Sequence, residues 1–517
     1  MRIIDNKAIE LKTKYPDRIT TIIPNSRLVD WDGRVGTVLV HWTMDTVRVL
    51  HNLGFTKVPS TIRKDYTWPG IYTPFDHQRA TSEFLVANKR AYVFNEQGTG
   101  KTSAAAWAID YLMTKHIVRR ALIICPLSIM KSAWQNDLFK TTMHRSVGIA
   151  HGSTEQRKKV IESDVDIVII NFDGIEIVLD TLIKSDFNLI VIDEATAIKR
   201  DTTDRWKAVN QLVKPDTWLW QMTGTPAAQS PVDAYGLVKL MHPQKVDRTA
   251  YQFKDRVMYK VSTFTWKPKR EANEYIHRLM QPAIRFTKEE CLDLPEILYQ
   301  TREVPLTKQQ QKYYDTLAKE MLITLSDESI TSVNAAVNMN KLLQVASGAV
   351  YTDTGEVIDF DSKTRFEELV NIIEESSHSV LVFCAFKHTI ATLEAKLTKK
   401  NYIVDSVHGG VSLNKRSDIF KRFQESGQKQ ILLIQPQSAS HGVTLHAANT
   451  VVWWSPTTSY ETYAQANARV HRAGQKNPCT VVNIEGCSVE KKLYRALQER
   501  EASQFDLLGL YKDILNG

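Results

Sequence analysis

Eight consecutive residues constrain this chain more than any other feature: Asn95-Glu96-Gln97-Gly98-Thr99-Gly100-Lys101-Thr102. They follow a short apolar run at 91–94 and precede a segment with Ala104, Trp107, Ala108, Tyr111 and Leu112 at helical spacing. A Gly-rich loop ending in Lys-Thr between a strand and a helix is a P-loop. Backbone N–H groups at Gly98, Thr99 and Gly100 converge on phosphate oxygens, and the helix N-terminus adds a favourable dipole. Lys101 reaches the β- and γ-phosphates, and the Thr102 hydroxyl ligates magnesium. ATP and Mg2+ are the expected ligands. Asn95 stands where the pattern has its first glycine. A strand that feeds a helix in this way belongs to a parallel βαβ unit, which sets the fold class.

A second constellation extends the first. Leu189-Ile190-Val191-Ile192 runs directly into Asp193-Glu194, as a buried strand delivering two carboxylates to its C-terminal edge. After a P-loop this reads as a Walker B motif. Asp193 holds magnesium through water, and Glu194 orients or deprotonates the attacking water. Further β-rich apolar runs lie at 121–125, 166–170 and 218–222, and a second series lies at 380–383, 403–407, 431–434, 451–454 and 480–484. Two α/β lobes follow, each with a parallel sheet. Their combined length suits a chain of 517 residues, which exceeds what one hydrophobic core supports.

The segment 249–366 has a different texture, rich in Lys, Gln and Glu at helical spacing. The first ~65 residues also stand apart, with a strand at 37–41, Thr43 as N-cap and a helix ending near Gly54. The expected division is an accessory region at 1–65, a first lobe at 66–245, helical insertions and linker at 246–365, and a second lobe at 366–517. Lys and Arg outnumber Asp and Glu by 66 to 58. That excess suits a polyanionic partner without demanding one. Five scattered cysteines with no CxxC pair argue against a zinc ribbon or a disulfide framework and for a reducing cytosol. No apolar run approaches the roughly 20 residues of a bilayer span, so no membrane partner is expected.

Near the other end, the stretch Gln465-Ala466-Asn467-Ala468-Arg469-Val470-His471-Arg472-Ala473-Gly474-Gln475 places two arginines three apart, on one face if it is helical. Either guanidinium would serve as an arginine finger supplied across the cleft. Gln465 is placed at the nucleotide with them.

This order of motifs resembles superfamily-two helicases, and within them the Snf-like group of ATP-dependent DNA translocases typified by chromatin remodellers. The resemblance covers roughly residues 75–494 and implies that the two lobes are RecA-like. Phe75-Asp76-His77-Gln78 is similar to the Q-motif, which implies that Gln78 reads adenine. Ile124-Cys125-Pro126-Leu127-Ser128-Ile129 with Trp134 resembles motif Ia, and Met222-Thr223-Gly224-Thr225-Pro226 resembles motif III. Residues 284–290 before Leu294-Pro295, then Leu306-Thr307 with Gln311 and Tyr314, resemble the Snf-type insertions rather than a DEAD-box linker. Gly442-Val443-Thr444-Leu445 resembles motif V, Trp454-Ser455-Pro456 the Trp-Asn-Pro segment, and His471-Arg472-Ala473-Gly474-Gln475 motif VI. The chain departs from the family at Thr196 for a motif II His, at Ala439-Ser440 for paired glycines, and at Thr444 for Asn.

The resemblance implies a duplex-DNA translocase that grips phosphates without reading sequence, with Ser128, Lys131, Thr225 and Trp454 as the DNA contacts. It places the protein in the cytosol of a bacterial host or virus-infected cell, with room for a protein partner that the sequence does not identify. Two other readings stand beside it: a strand-separating helicase on DNA or RNA, and a nucleotide-dependent nucleic-acid-binding switch. The Snf-type insertions weigh against the first, and intact Lys101, Glu194 and Arg472 weigh against the second.

Overall fold

The computed structural model describes residues 1–55, 58–224, 230–261, 266–291, 295–326, 332–352, 356–439, 443–472 and 474–499. The runs of buried-strand residues form two parallel sheets. The first has seven strands in the order Ala283–Ile284, Arg90–Val93, Trp218–Met222, Leu189–Asp193, Ala121–Cys125, Ile167–Asn171 and Val147–Ala150. The second has six, in the order Ile297–Glu303, Cys479–Glu485, Ala448–Trp453, Ser379–Phe383, Ile431–Ile434 and Val404–Val407.

Both sheets are covered on both faces, so their central strands are written mostly in apolar residues, and a buried polar one such as Gln221 is hydrogen-bonded. Within Ala121–Cys125, Leu122 and Ile124 join the core on one side, while Ala121, Ile123 and Cys125 join the core on the other. The second sheet repeats this: Leu381, Phe383, Val451 and Trp453 face one core, and Val380, Val382, Val452 and Trp454 face the opposite one. The helix Lys101–Thr114 is buried from Ser103 to Met113, not on one face alone. It is wedged between the sheet and the helix Asp76–Ala87, whose Ser82 Oγ donates to Ala104 O at 2.8 Å. Burying side chains such as Tyr111 and Leu112 contributes about 2–3 kcal/mol each and fixes the loop at the helix N-terminus.

The segment 246–365 is not helical throughout. It contains the long helices Lys308–Ser326 and Ser332–Ser347. It also supplies Ala283–Ile284 to the edge of the first sheet and Ile297–Glu303 to the edge of the second. These strands are half-covered, so they lack the continuous apolar run of a central strand.

At the N-terminus four antiparallel strands stand in the order Arg2–Ile4, Ala8–Thr13, Gly36–His41 and Arg27–Trp31. The helix Met44–Asn52 follows, with the Thr43 side chain accepting from Thr46 N at 3.2 Å and Gly54 taking φ +87° just beyond its end. Among the described residues, no helix is long and apolar enough to cross a membrane.

Candidate active site

The strand Arg90–Val93 points the P-loop at a cavity of about 450 Å³ between the two lobes. The loop turns at Gly98 and Gly100, with φ +87° and +77°, a region that side-chain-bearing residues enter at a cost of roughly 1–2 kcal/mol. A Cβ on Gly100 would also meet Gln78 Nε2, so that side chain would have to move. Thr99 is buried and its Oγ1 donates to Glu96 O at 2.7 Å. Lys101 Nζ folds back on its own loop, donating to Asn95 O at 2.8 Å and Glu96 O at 3.3 Å.

Asn95, the departure from the P-loop pattern, has a structural role. Its Nδ2 donates to Thr81 Oγ1 at 2.8 Å, and its Oδ1 accepts from Phe286 N at 3.1 Å. The side chain therefore pins the loop to the Asp76–Ala87 helix on one side and to the inter-lobe segment on the other. Gln78 is buried too: its Oε1 accepts from Phe75 N at 2.9 Å, and its Nε2 donates weakly to Thr99 O at 3.4 Å.

The strand Leu189–Asp193 brings the carboxylates to the same cavity. Asp193 Oδ2 accepts from Trp134 Nε1 at 2.9 Å, and Oδ1 accepts from Glu194 N at 2.9 Å. Glu194 sits at φ +51°, a strained conformation for a residue other than glycine. Its Oε1 accepts from Gln97 Nε2 at 3.5 Å, while Oε2 is sealed from solvent without a hydrogen-bond donor among the described residues. Burial, reinforced by the neighbouring Asp193 charge, pushes the Glu194 carboxyl up to about 7. Burial also raises Asp193, against the pull of Lys101 and the Trp134 hydrogen bond. The Lys101 ammonium is lowered by burial, opposed by both carboxylates. An acid poised near neutrality is suited to taking a proton from water.

Lobe two closes the cavity with Arg469 and Arg472. The sequence suggests a helical face, but the helix Tyr460–Asn467 ends before either arginine. They leave a succession of turns in which Arg469 O accepts from Leu445 N at 2.9 Å and Arg472 donates to Val443 O at 3.3 Å. Burial, then the proximity of Arg472, pushes Arg469 down to about 9. Three cations thus converge with Asp193 and Glu194 on one cavity large enough for a nucleotide. The stranded Glu194 Oε2 and the clustered cations fit a polyphosphate, and Thr102 with Asp193 on the cavity wall is an oxygen set suited to Mg2+.

Several expected positions are not where the sequence put them. Gln465 does not line the cavity; its Nε2 donates to Glu461 Oε1 at 3.1 Å along its own helix. Trp454 is not available to DNA: it is 1% exposed, its Nε1 donates to Ser347 O at 3.0 Å, and Arg365 lies over its ring. Adjacent strand residues face opposite sides of the sheet, and here both sides are covered. Ser128 lines a cavity of about 320 Å³ between the lobes alongside Lys140 and Arg416, and Lys131, three residues on, is exposed. Thr225 and Pro226, with Ser440, Gly442 and Ala473, lie outside the described residues. Sequence reasoning missed Gln97, Asp137 and Lys140, which line the nucleotide cavity, and the bond from Trp134 to Asp193. Only the tertiary fold brings Trp134 to a carboxylate 59 residues away.

Comparison with known proteins decides the family. The model of the SNF2-related domain matches residues 77–349, more than half of the chain, and that of the helicase conserved C-terminal domain matches residues 364–474. The chain belongs to the SNF2-related family. It is accordingly an ATP-using enzyme of helicase-like build. Among its relatives, protein p41 of Acyrthosiphon pisum secondary endosymbiont phage 1 is 24% identical over 437 residues, covering 80% of this chain and 93% of that protein. An uncharacterized ATP-dependent helicase of Mycoplasma genitalium is 25% identical over 75% of this chain, but this chain spans only 37% of its length. Among solved structures, the SWI2/SNF2 ATPase core of Sulfolobus solfataricus in complex with double-stranded DNA aligns at 22% identity. It covers 87% of this chain and 94% of its own, with a TM-score of 0.42.

Proposed function

We propose that this SNF2-related ATPase is a translocase that tracks along double-stranded DNA, closing its lobes on ATP and opening them after hydrolysis. The observation that carries the reading is the shared cavity, with the P-loop and Asp193-Glu194 on one wall and Arg469 and Arg472 on the other. A cleft assembled from two lobes links phosphate chemistry to relative lobe motion.

In this reading Lys101 holds the β- and γ-phosphates, Glu194 takes the proton of the attacking water, and Arg472 or Arg469 meets the charge that develops on the γ-phosphate. Thr102 and Asp193 would hold Mg2+, which when bound neutralises phosphate charge. Lys101→Ala should abolish hydrolysis. Ser128, on the cavity between the lobes, and the exposed Lys131 are the remaining described candidates for phosphate-backbone contact, joined by Lys140 and Arg416 in that cavity.

The test is ATPase stimulation measured side by side with duplex DNA, single-stranded DNA and RNA, together with triplex displacement and forked-duplex unwinding. Duplex DNA of any sequence should stimulate most, with stimulation falling steeply as salt rises. The third strand should be displaced while the fork stays paired. Efficient unwinding without triplex displacement would make the protein a strand-separating helicase instead.

A further inference from the structure

The polypeptide linking the two sheets runs directly past the reaction cleft. Beyond the edge strand Ala283–Ile284, Phe286 N donates to Asn95 Oδ1 at 3.1 Å and Phe286 O accepts from Glu96 N at 2.9 Å. Lys288 N then donates to Glu96 Oε2 at 3.2 Å. On the far side Pro295 O meets His471 Nε2 at 2.8 Å, just before Ile297–Glu303 enters the second sheet. One strap is therefore fastened to the P-loop at its start and to motif VI at its end.

The Lys288 side chain crosses the gap between these fastenings. Its Nζ donates to His471 O at 3.3 Å, and its Cε lies 3.6 Å from the place a Cβ on Gly98 would occupy. Arg472 Cβ lies 3.2 Å from that same place, so Gly98, Lys288 and Arg472 pack on one another. The carbonyl that accepts from Lys288 belongs to the peptide joining His471 to Arg472. A donor that fixes this carbonyl fixes the peptide plane from which the Arg472 side chain departs. Lys288 does not line the 450 Å³ cavity, so its geometry is that of a support for Arg472 rather than of a phosphate ligand. Burial pushes its ammonium down to about 8, with Glu96 opposing and Arg472, Arg469 and Lys101 adding to the shift.

We propose that Lys288 is a positioning residue for hydrolysis: it holds the His471–Arg472 peptide against the P-loop, so that Arg472 enters the cavity at the γ-phosphate end. Asn95 and Glu96 hold the strap that carries it, a task that the usual glycine at position 95 has no side chain to perform. The inference rests on reading Arg472 as the group that meets the γ-phosphate.

The test is steady-state ATP hydrolysis by Lys288→Met, Lys288→Gln, Lys288→Arg, Arg472→Ala and the double variant Lys288→Met/Arg472→Ala. Both neutral variants should lower kcat about tenfold or more while KM for ATP stays within about twofold, as expected when orientation rather than binding is lost. Lys288→Arg should restore most of the rate. In the Arg472→Ala background, Lys288→Met should cost less than about twofold, because the two residues act as one unit. Unchanged kcat, a KM rise at constant kcat, no rescue by Lys288→Arg, or fully additive losses would each overturn the role of Lys288 and leave the cleft reading standing. Normal turnover by Arg472→Ala alone would overturn both.

Discussion

Replacing Glu194 by Gln should remove activity and, in the nucleotide-free protein, add stability in a pH-dependent way. The carboxyl is raised from an ordinary value of 4.5 to about 7 because it is buried and Asp193 adds a like charge. A group raised in the folded state contributes stability that is fully present below its unfolded value and is lost as pH rises through its folded value. For Glu194 that window runs from about 4.5 to about 7. Above it, ionising the folded protein costs about 3 kcal/mol more than ionising the unfolded chain. Gln keeps the shape and carries no charge, so the penalty disappears. At pH 8 Glu194→Gln should be about 3 kcal/mol more stable than the parent, a rise of roughly 6–12 °C in the melting of the first lobe. At pH 5 the two should agree to within about 1 kcal/mol. Thermal or urea unfolding at both pH values, without nucleotide or magnesium, measures this. A variant no more stable than the parent at pH 8, or equally stabilised at both, would refute the argument that this carboxylate is held under electrostatic strain.

Trp134→Phe removes the donor to Asp193, a bond to a charged acceptor worth about 1.5–3 kcal/mol, and should raise the magnesium needed for half-maximal turnover about tenfold or more; an unchanged magnesium titration refutes it. Gly100→Ala forces a side chain to φ +77° and against Gln78, and should weaken binding of a fluorescent ATP analogue about tenfold or more while the protein stays folded. Arg365→Met strands the buried Glu490 carboxylate, 2.7 Å from the guanidinium, and should cost the second lobe about 3–5 kcal/mol in urea unfolding; adding Glu490→Leu should recover much of that loss.

The central strands were legible because a parallel strand buried on both faces is written as an uninterrupted apolar run. The expected bounds at 121–125, 218–222 and 431–434 coincide with Ala121–Cys125, Trp218–Met222 and Ile431–Ile434. The edge strand Ile297–Glu303 was not legible, since ILYQTRE exposes Leu298 and Tyr299 and carries polar residues where one face is open. In the candidate site, the P-loop and the Asp193-Glu194 pair announce themselves because their chemistry sits in adjacent residues. Arg469 and Arg472 reach the cavity although the helix that was to present them stops at Asn467. Trp454 illustrates the opposite failure: an aromatic residue at the end of a strand carries no mark of which sheet faces are covered, and here both are.

The strap between the lobes also sets a mechanical limit. From Lys288, fastened to Glu96, to Pro295, fastened to His471, the backbone spans seven residues, about 23–25 Å when drawn out straight. While those fastenings hold, the P-loop and the arginine-bearing turns can swing apart only within that leash. A wider excursion must first tear the strap from one lobe or peel an edge strand from its sheet. The range of any such opening would be set by the length of a tether, independently of how strongly either lobe holds its ligands.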